Sequence, residues 1–179
     1  MILLITINQI PFHFFEFVKP IEEILEKENI EFETNNYKKL DKKQISNYDK
    51  IIITGTSLQD NSFLTDVKRF DWIKQYTKPL LGICGGMHIL SMTHDGELQK
   101  GEEIGFNQIH FEKEFLGMSG DCEGYDLHKF YAVSKDFEIV AHSKNCPQAI
   151  KHKTKPFYGV LFHPEVRNKE MIRCFLSLD

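Results

Sequence analysis

Two apolar runs in this chain each end on a residue able to do covalent chemistry. Leu80-Leu81-Gly82-Ile83-Cys84-Gly85-Gly86-Met87-His88 carries a cysteine straight into two glycines and a helix-like pattern. A strand that feeds a tight turn into a helix lifts the turn residue above the sheet edge, and small neighbours leave room for a substrate. Cys84 is therefore the candidate nucleophile. The second run, Gly159-Val160-Leu161-Phe162-His163-Pro164-Glu165, ends on a histidine with a carboxylate two residues on. A thiol is only slightly ionised at neutral pH, so it needs an imidazole and often a helix N-terminus beside it. His163 supplies the candidate base, and Glu165 the acid that fixes its tautomer and orientation. The set suits acyl transfer, with the Gly85 amide and the Gly55-Thr56 turn as candidate oxyanion donors.

The elements that would position these residues follow from hydrophobic period. Ile2 to Ile7, Glu31 to Thr34, Lys50 to Thr54 and Pro79 to Cys84 read as strands. Helices read at Val18 to Glu28, with Ile21, Ile24 and Leu25 on one face, at Val67 to Gln75, anchored by Phe70, Trp72 and Ile73, and at Met87 to Met92. Gly55-Thr56-Ser57 turns the chain, and the Lys-rich stretch to Lys43 is a solvated surface. From Leu98 to Phe162 the texture becomes β-rich, with strands at Phe106 to Phe111, Lys129 to Val133, Glu138 to His142, Gln148 to His152 and Tyr158 to Phe162. Asn168 to Leu178 closes as a helix. Strands alternating with helices predict a parallel, doubly wound α/β sheet, and ligands of such sheets bind beyond the carboxyl ends of the strands. Cys84 and His163 both fall there.

The 179 residues match one domain, 1–179, with no internal repeat or linker. A composition of 41% hydrophobic and 27% charged residues is that of a soluble globular chain. Net charge −4 argues against a nucleic-acid binder. The apolar start, Met1 to Ile7, is far too short to span a bilayer and lacks a basic leader, so no membrane association is expected. The four cysteines, Cys84, Cys122, Cys146 and Cys174, are widely spaced without a Cys-x-x-Cys pair, which fits a reducing cytoplasm. Cys146 and Cys174 read as buried small hydrophobes. His88 and His94 are six apart and do not share a helix face as zinc motifs do, so no metal is expected.

The elbow and the distal Phe162-His163-Pro164-Glu165 resemble the class I glutamine amidotransferase family, whose motifs read Gly-Ile-Cys-x-Gly and Phe-His-Pro-Glu. The resemblance covers essentially the whole chain. Asn145-Cys146-Pro147, Ala149-Ile150-Lys151-His152 and Tyr158-Gly159-Val160 are similar to the amidotransferase subunit of two-subunit, archaeal-type GMP synthases. The resemblance implies a flavodoxin-like three-layer α/β/α sandwich with a β-rich C-terminal half. It further implies that Cys84 attacks the side-chain amide of L-glutamine, that His163 protonates the departing ammonia and then activates water, and that Glu165 orients the histidine. Ammonia would pass to an ATP-dependent synthetase subunit, with no cofactor. Three positions depart from the family pattern. His88 stands where glutamine usually contacts substrate, Gly55-Thr56-Ser57 replaces Gly-Gly-Pro at the oxyanion turn, and Leu127-His128 replaces a Ser-His dipeptide whose histidine is retained. Two other readings remain open: a thiol hydrolase of another γ-glutamyl amide, and a non-catalytic amidotransferase-like binding or regulatory protein.

Overall fold

The computed structural model describes residues 1–178. Its strands, in chain order, are β1 (Ile2–Thr6), β2 (Phe32–Asn36), β3 (Lys50–Ile53), β4 (Leu80–Ile83), β5 (Glu97–Phe115), β6 (Met118–Val133), β7 (Phe137–His142), β8 (Pro147–His152) and β9 (Phe157–Val160). The helices are α1 (Phe12–Phe17), α2 (Lys19–Lys27), α3 (Gly85–Thr93) and α4 (Lys169–Leu176). One sheet runs β2-β1-β3-β4-β9-β8-β7-β5-β6. Its first five strands are parallel and the remainder antiparallel. The parallel part has the 2-1-3-4-5 order of flavodoxin-like sheets.

Side chains alternate across a strand, so a strand covered on both faces feeds two cores. Leu4 of β1, Ile52 of β3 and Leu81 of β4 pack with Ile21, Ile24 and Leu25 of α2 and with Met171, Ile172 and Phe175 of α4. Leu3, Ile5, Ile51 and Ile53 face the other way, against Met87, Ile89 and Leu90 of α3 and against Phe70 and Ile73. The result is the α/β/α layering expected. Helix α2 ends as its sequence suggests: Asn29 takes a left-handed φ of 54° and the Ile30 amide donates back to Leu25 O at 3.0 Å.

Several elements differ from the sequence reading. Val67 to Lys74 is a 3₁₀ helix, with Arg69 N donating to Asp66 O at 2.8 Å. A 3₁₀ turn stacks residues three apart, so Phe70 and Ile73 share the buried face while Trp72 falls off it and is only half-buried. Phe106 to Phe111 and Lys129 to Val133 are parts of one long antiparallel hairpin, β5 and β6. Its Gly, Asp and Lys residues read as breaks, but they lie within continuous strands, the lysines and Asp121 facing solvent and Gly124 and Asp126 facing inward. The hairpin closes at Leu116-Gly117, both at positive φ (49° and 79°), as a two-residue turn matched to strand twist requires. Helix α1 had no counterpart in the pattern because only Phe17 of its residues is buried. Among the described residues no helix is long and apolar enough to cross a membrane.

Candidate active site

Strand β4 delivers Cys84 to the N-terminus of α3 in a rare backbone conformation, φ 49° and ψ −104°. Such strain, of order 1–3 kcal/mol, persists only where the surroundings fix it. They do so here from two sides. The Cys84 amide donates to Val160 O of β9 at 2.7 Å, and its carbonyl receives the first helical bond, from the His88 amide at 3.2 Å. The flanking glycines let α3 settle onto the sheet: a Cβ on Gly82 would lie 2.5 Å from the Gly86 carbonyl, and one on Gly86 would run into the Ile53 carbonyl. The opening amides of α3, beginning with Gly85, have no partner within the helix, which makes that end a site for developing negative charge.

Because β9 is the parallel neighbour of β4, the segment after it leaves the sheet beside the elbow. His163 is fully buried there, its amide tied to Tyr125 O at 2.8 Å, and Phe17 lies against its ring at 5.2 Å between centroids. Glu165 Oε1 accepts from His163 Nδ1 at 2.7 Å, which leaves Nε2 without a hydrogen-bond partner. Burial disfavours the imidazolium, but the Glu165 carboxylate and the Cys84 sulfur together outweigh it and hold the His163 pKa well above 6.5. Gly55 marks how closely the groups meet. A Cβ there would lie 2.6 Å from His163 Cε1 and 3.3 Å from Cys84 Cβ. The thiol is turned toward Leu127 O, to which it donates at 3.8 Å. Hydrogen bonds between nucleophile and base are commonly loose before substrate arrives.

The turn after β3 is tied down by residues the sequence reading did not single out. Thr56 Oγ1 accepts from Asn8 Nδ2 at 3.1 Å, and Ser57 Oγ lies 3.2 Å from His13 Nδ1. Asp60 accepts the Gln9 and Ile10 amides at 2.7 and 3.1 Å and meets the same His13. These partners are 44 to 51 positions apart, so no local pattern announces them. A narrow cleft with a cavity volume of about 20 Å³ runs beside the thiol, walled by Thr56, Ser57, Phe63, Gly85, His88 and residues 127–130.

His88 donates its Nε2 hydrogen to Phe130 O at 3.0 Å and stacks on Phe63. Burial, with His128 nearby, lowers its pKa to about 4 in spite of the Phe130 bond, so the ring is neutral and Nδ1 is a buried acceptor without a partner. His128 borders the cleft, but its ring is turned away from the thiol. Nδ1 donates to Gly101 O at 2.9 Å, and Nε2 faces Asp126 and Glu103 at 3.5 and 3.6 Å. The group from this dipeptide that reaches Cys84 is the Leu127 carbonyl, a consequence of alternation along β6.

Known proteins share this architecture, and some share part of the sequence. Over 100 residues, 51% of this chain and 53% of the relative, it is 39% identical to one subunit of the glutamine-hydrolyzing GMP synthase of Methanocaldococcus jannaschii. Over 148 residues, 77% of this chain but 28% of the relative, it is 32% identical to the glutamine-hydrolyzing GMP synthase of Spiroplasma kunkelii. The matched stretches thus span about half and about a quarter of those proteins. A crystal structure of a Thermoplasma acidophilum protein, provisionally assigned as a GMP synthase subunit, superposes with a TM-score of 0.86 at 19% identity, covering 99% of this chain and 92% of that one. A glutamine amidotransferase from Thermotoga maritima superposes at 0.75 and 16% identity, over 99% of this chain and 81% of that one. The family model for class I glutamine amidotransferases matches residues 14–177, from α1 to the end of α4, and the chain belongs to that family.

Proposed function

We propose that the chain hydrolyses L-glutamine to glutamate and ammonia through a thioester on Cys84, and that the ammonia passes to an ATP-dependent synthetase subunit of the GMP synthase type. The observation that carries this reading is the meeting at Gly55: a thiol on a strained elbow and an imidazole backed by a carboxylate, both within reach of one glycine. The Cys84 thiolate, paired with the His163 imidazolium, attacks the side-chain amide carbon. The oxygen of the tetrahedral adduct takes the negative charge between the Gly85 amide and the Gly55-Thr56 turn. His163 gives its proton to the departing nitrogen, which leaves as ammonia, and the acyl group stays on sulfur. Neutral His163 then takes a proton from water, whose oxygen attacks the thioester, and collapse releases glutamate and the thiol. Glu165 keeps Nδ1 protonated throughout, so that Nε2 handles both transfers. His88 Nδ1 offers the substrate an acceptor where the family's glutamine would offer an amide. The reading takes 1–179 as one domain whose reaction needs no cofactor, in the cytoplasm, where four free cysteines stay reduced.

Ammonia release from glutamine, with and without the candidate synthetase, tests the activity, and an electrophilic glutamine analogue tests the nucleophile. Turnover together with an adduct on Cys84, and none on Cys122, Cys146 or Cys174, is expected. Turnover of a different γ-glutamyl amide in place of glutamine would move the reading to that substrate, with His88 the residue that favours it. No turnover and no adduct with the synthetase present would replace it with a binding protein.

A further inference from the structure

Behind the cleft wall, a cluster that the proposed chemistry does not use lies buried between β5, β6 and the start of β8. Glu103, Asp126, His128, Cys146 and Gln148 are each at least nine-tenths buried. The His128 ring has its tautomer set by the Nδ1 bond to Gly101 O, which leaves Nε2 facing two carboxylates, Asp126 Oδ1 at 3.5 Å and Glu103 Oε2 at 3.6 Å. A protonated imidazole donating to either carboxylate would close to about 2.7–2.9 Å. Nε2 instead stands back from both, and Nε2 and Asp126 Oδ1 are without hydrogen-bond partners. Donors 2.0–2.3 Å from a shared tetrahedral ion lie about 3.3–3.8 Å from one another, and the two distances from His128 Nε2 fall in that range. The Cys146 thiol is the third donor: ligand atoms of Glu103, His128 and Cys146 all lie within 4.8 Å of one another.

We infer that Glu103, His128 and Cys146, with Asp126 beside the His128 ring, form a structural site for a thiophilic divalent cation of the Zn²⁺ class. The outer groups are those such a site needs. Glu103 is held by Ser143 Oγ (2.7 and 2.8 Å) and Gln148 Nε2 (2.7 Å), Asp126 Oδ2 accepts from Asn107 Nδ2 at 3.0 Å, and His128 is anchored on a backbone carbonyl. A surface depression bordered by Ser143, Asn145 and Cys146 lies on the Cys146 side of the cluster. On binding, Cys146 releases its proton to solvent and the sulfur lone pair forms the bond to the metal. One soft sulfur, one imidazole and one carboxylate favour zinc over magnesium or calcium, which take oxygen alone. Asp126 and His128 flank Leu127, whose carbonyl meets the Cys84 thiol, so the ion would fix the cleft wall without touching substrate. The spacing of these ligands along the chain resembles no zinc motif because they come from three separate elements.

The full chain, stripped with a chelator and titrated with Zn²⁺ alone against a chromophoric competitor, is expected to take up one equivalent tightly and to melt at a higher temperature when loaded. With Co²⁺ as the probe, intense visible bands and a sulfur-to-cobalt charge-transfer band are expected. That band should vanish in Cys146→Ser and persist in Cys84→Ser, which separates this site from the thiol and imidazole of the cleft. Glu103→Gln should lower zinc affinity by about 10-fold or more. Absence of a tight equivalent in the unaltered protein would overturn the inference, whatever the variants do. So would a charge-transfer band that survives Cys146→Ser or disappears in Cys84→Ser.

Discussion

Replacing His88 with glutamine isolates what a buried neutral imidazole does to this fold as pH falls. Burial, the largest influence, and the neighbouring His128 lower the His88 pKa from 6.5 to about 4, against the opposing bond to Phe130 O. In the unfolded chain the same ring titrates near its ordinary value of about 6.5. Between those values the unfolded state binds a proton that the folded state refuses. The stability linked to His88 is therefore complete above pH 6.5 and is lost progressively as the pH falls toward 4. At about 1.4 kcal/mol per pH unit, the full gap comes to about 3 kcal/mol, of which about 2 kcal/mol is gone by pH 5. Glutamine keeps an N–H for the Phe130 carbonyl and does not titrate. Urea unfolding of both proteins at about pH 7.5 and about pH 5 checks this, with the wild type expected to lose about 2 kcal/mol more than His88→Gln across the interval. Parallel losses would refute the reasoning, because they would mean that the folded protein accommodates the imidazolium as readily as water does.

Three other substitutions probe the site. Gly55→Ala places a methyl group 2.6 Å from the His163 ring, which is boxed in by Phe17 and bonded to Glu165. Chemical denaturation should show a loss of about 1–3 kcal/mol, and kcat/KM for glutamine should fall by about 100-fold, whereas wild-type values would show that the ring is free to retreat. Glu165→Gln removes the carboxylate that raises the His163 pKa. The imidazolium should then be lost at lower pH, seen as a downward shift of the His163 titration by NMR. Stability that the wild type holds below about pH 6.5 and loses as pH rises through the raised pKa should be absent from the variant. An unchanged titration would remove Glu165 from its assigned role. Gly86→Ala drives a methyl group into the Ile53 carbonyl, which cannot yield without moving β3, and should lower the urea midpoint by an amount worth about 1–3 kcal/mol.

Some of this was legible in the residues themselves. Gly82, Gly85 and Gly86 around Cys84 spell out a helix that starts hard against a sheet, because backbone sterics act within a few residues and only glycine tolerates such approaches. His-Pro-Glu after an apolar strand similarly implies an imidazole with a carboxylate close by, and the two are in fact bonded. The alternation of the first four strands with helical stretches was enough to predict the layered α/β sheet. The long hairpin was not legible, since its breaks in hydrophobic pattern are polar and glycine positions within continuous strands rather than turns. Nor was the 3₁₀ segment, whose Phe70 and Ile73 satisfy either helical period over so short a run.

What tertiary structure alone decided is who meets whom across the chain. Cys84 and His163 become neighbours because β9 enters the sheet beside β4, and Gly55 lies between them because β3 is the neighbour on the other side. His128 carries the family's dipeptide signal, yet the pleat of β6 turns its ring into the buried Glu103, Asp126 and Cys146 cluster and leaves a backbone carbonyl at the thiol. Phe17, Asn8, His13 and Asp60 act on the cleft only through contacts made after the strands are in order. Local sterics and side-chain period fix conformation over a few residues. Contacts between distant residues depend instead on strand order and on which face is buried, and no single stretch of sequence encodes either.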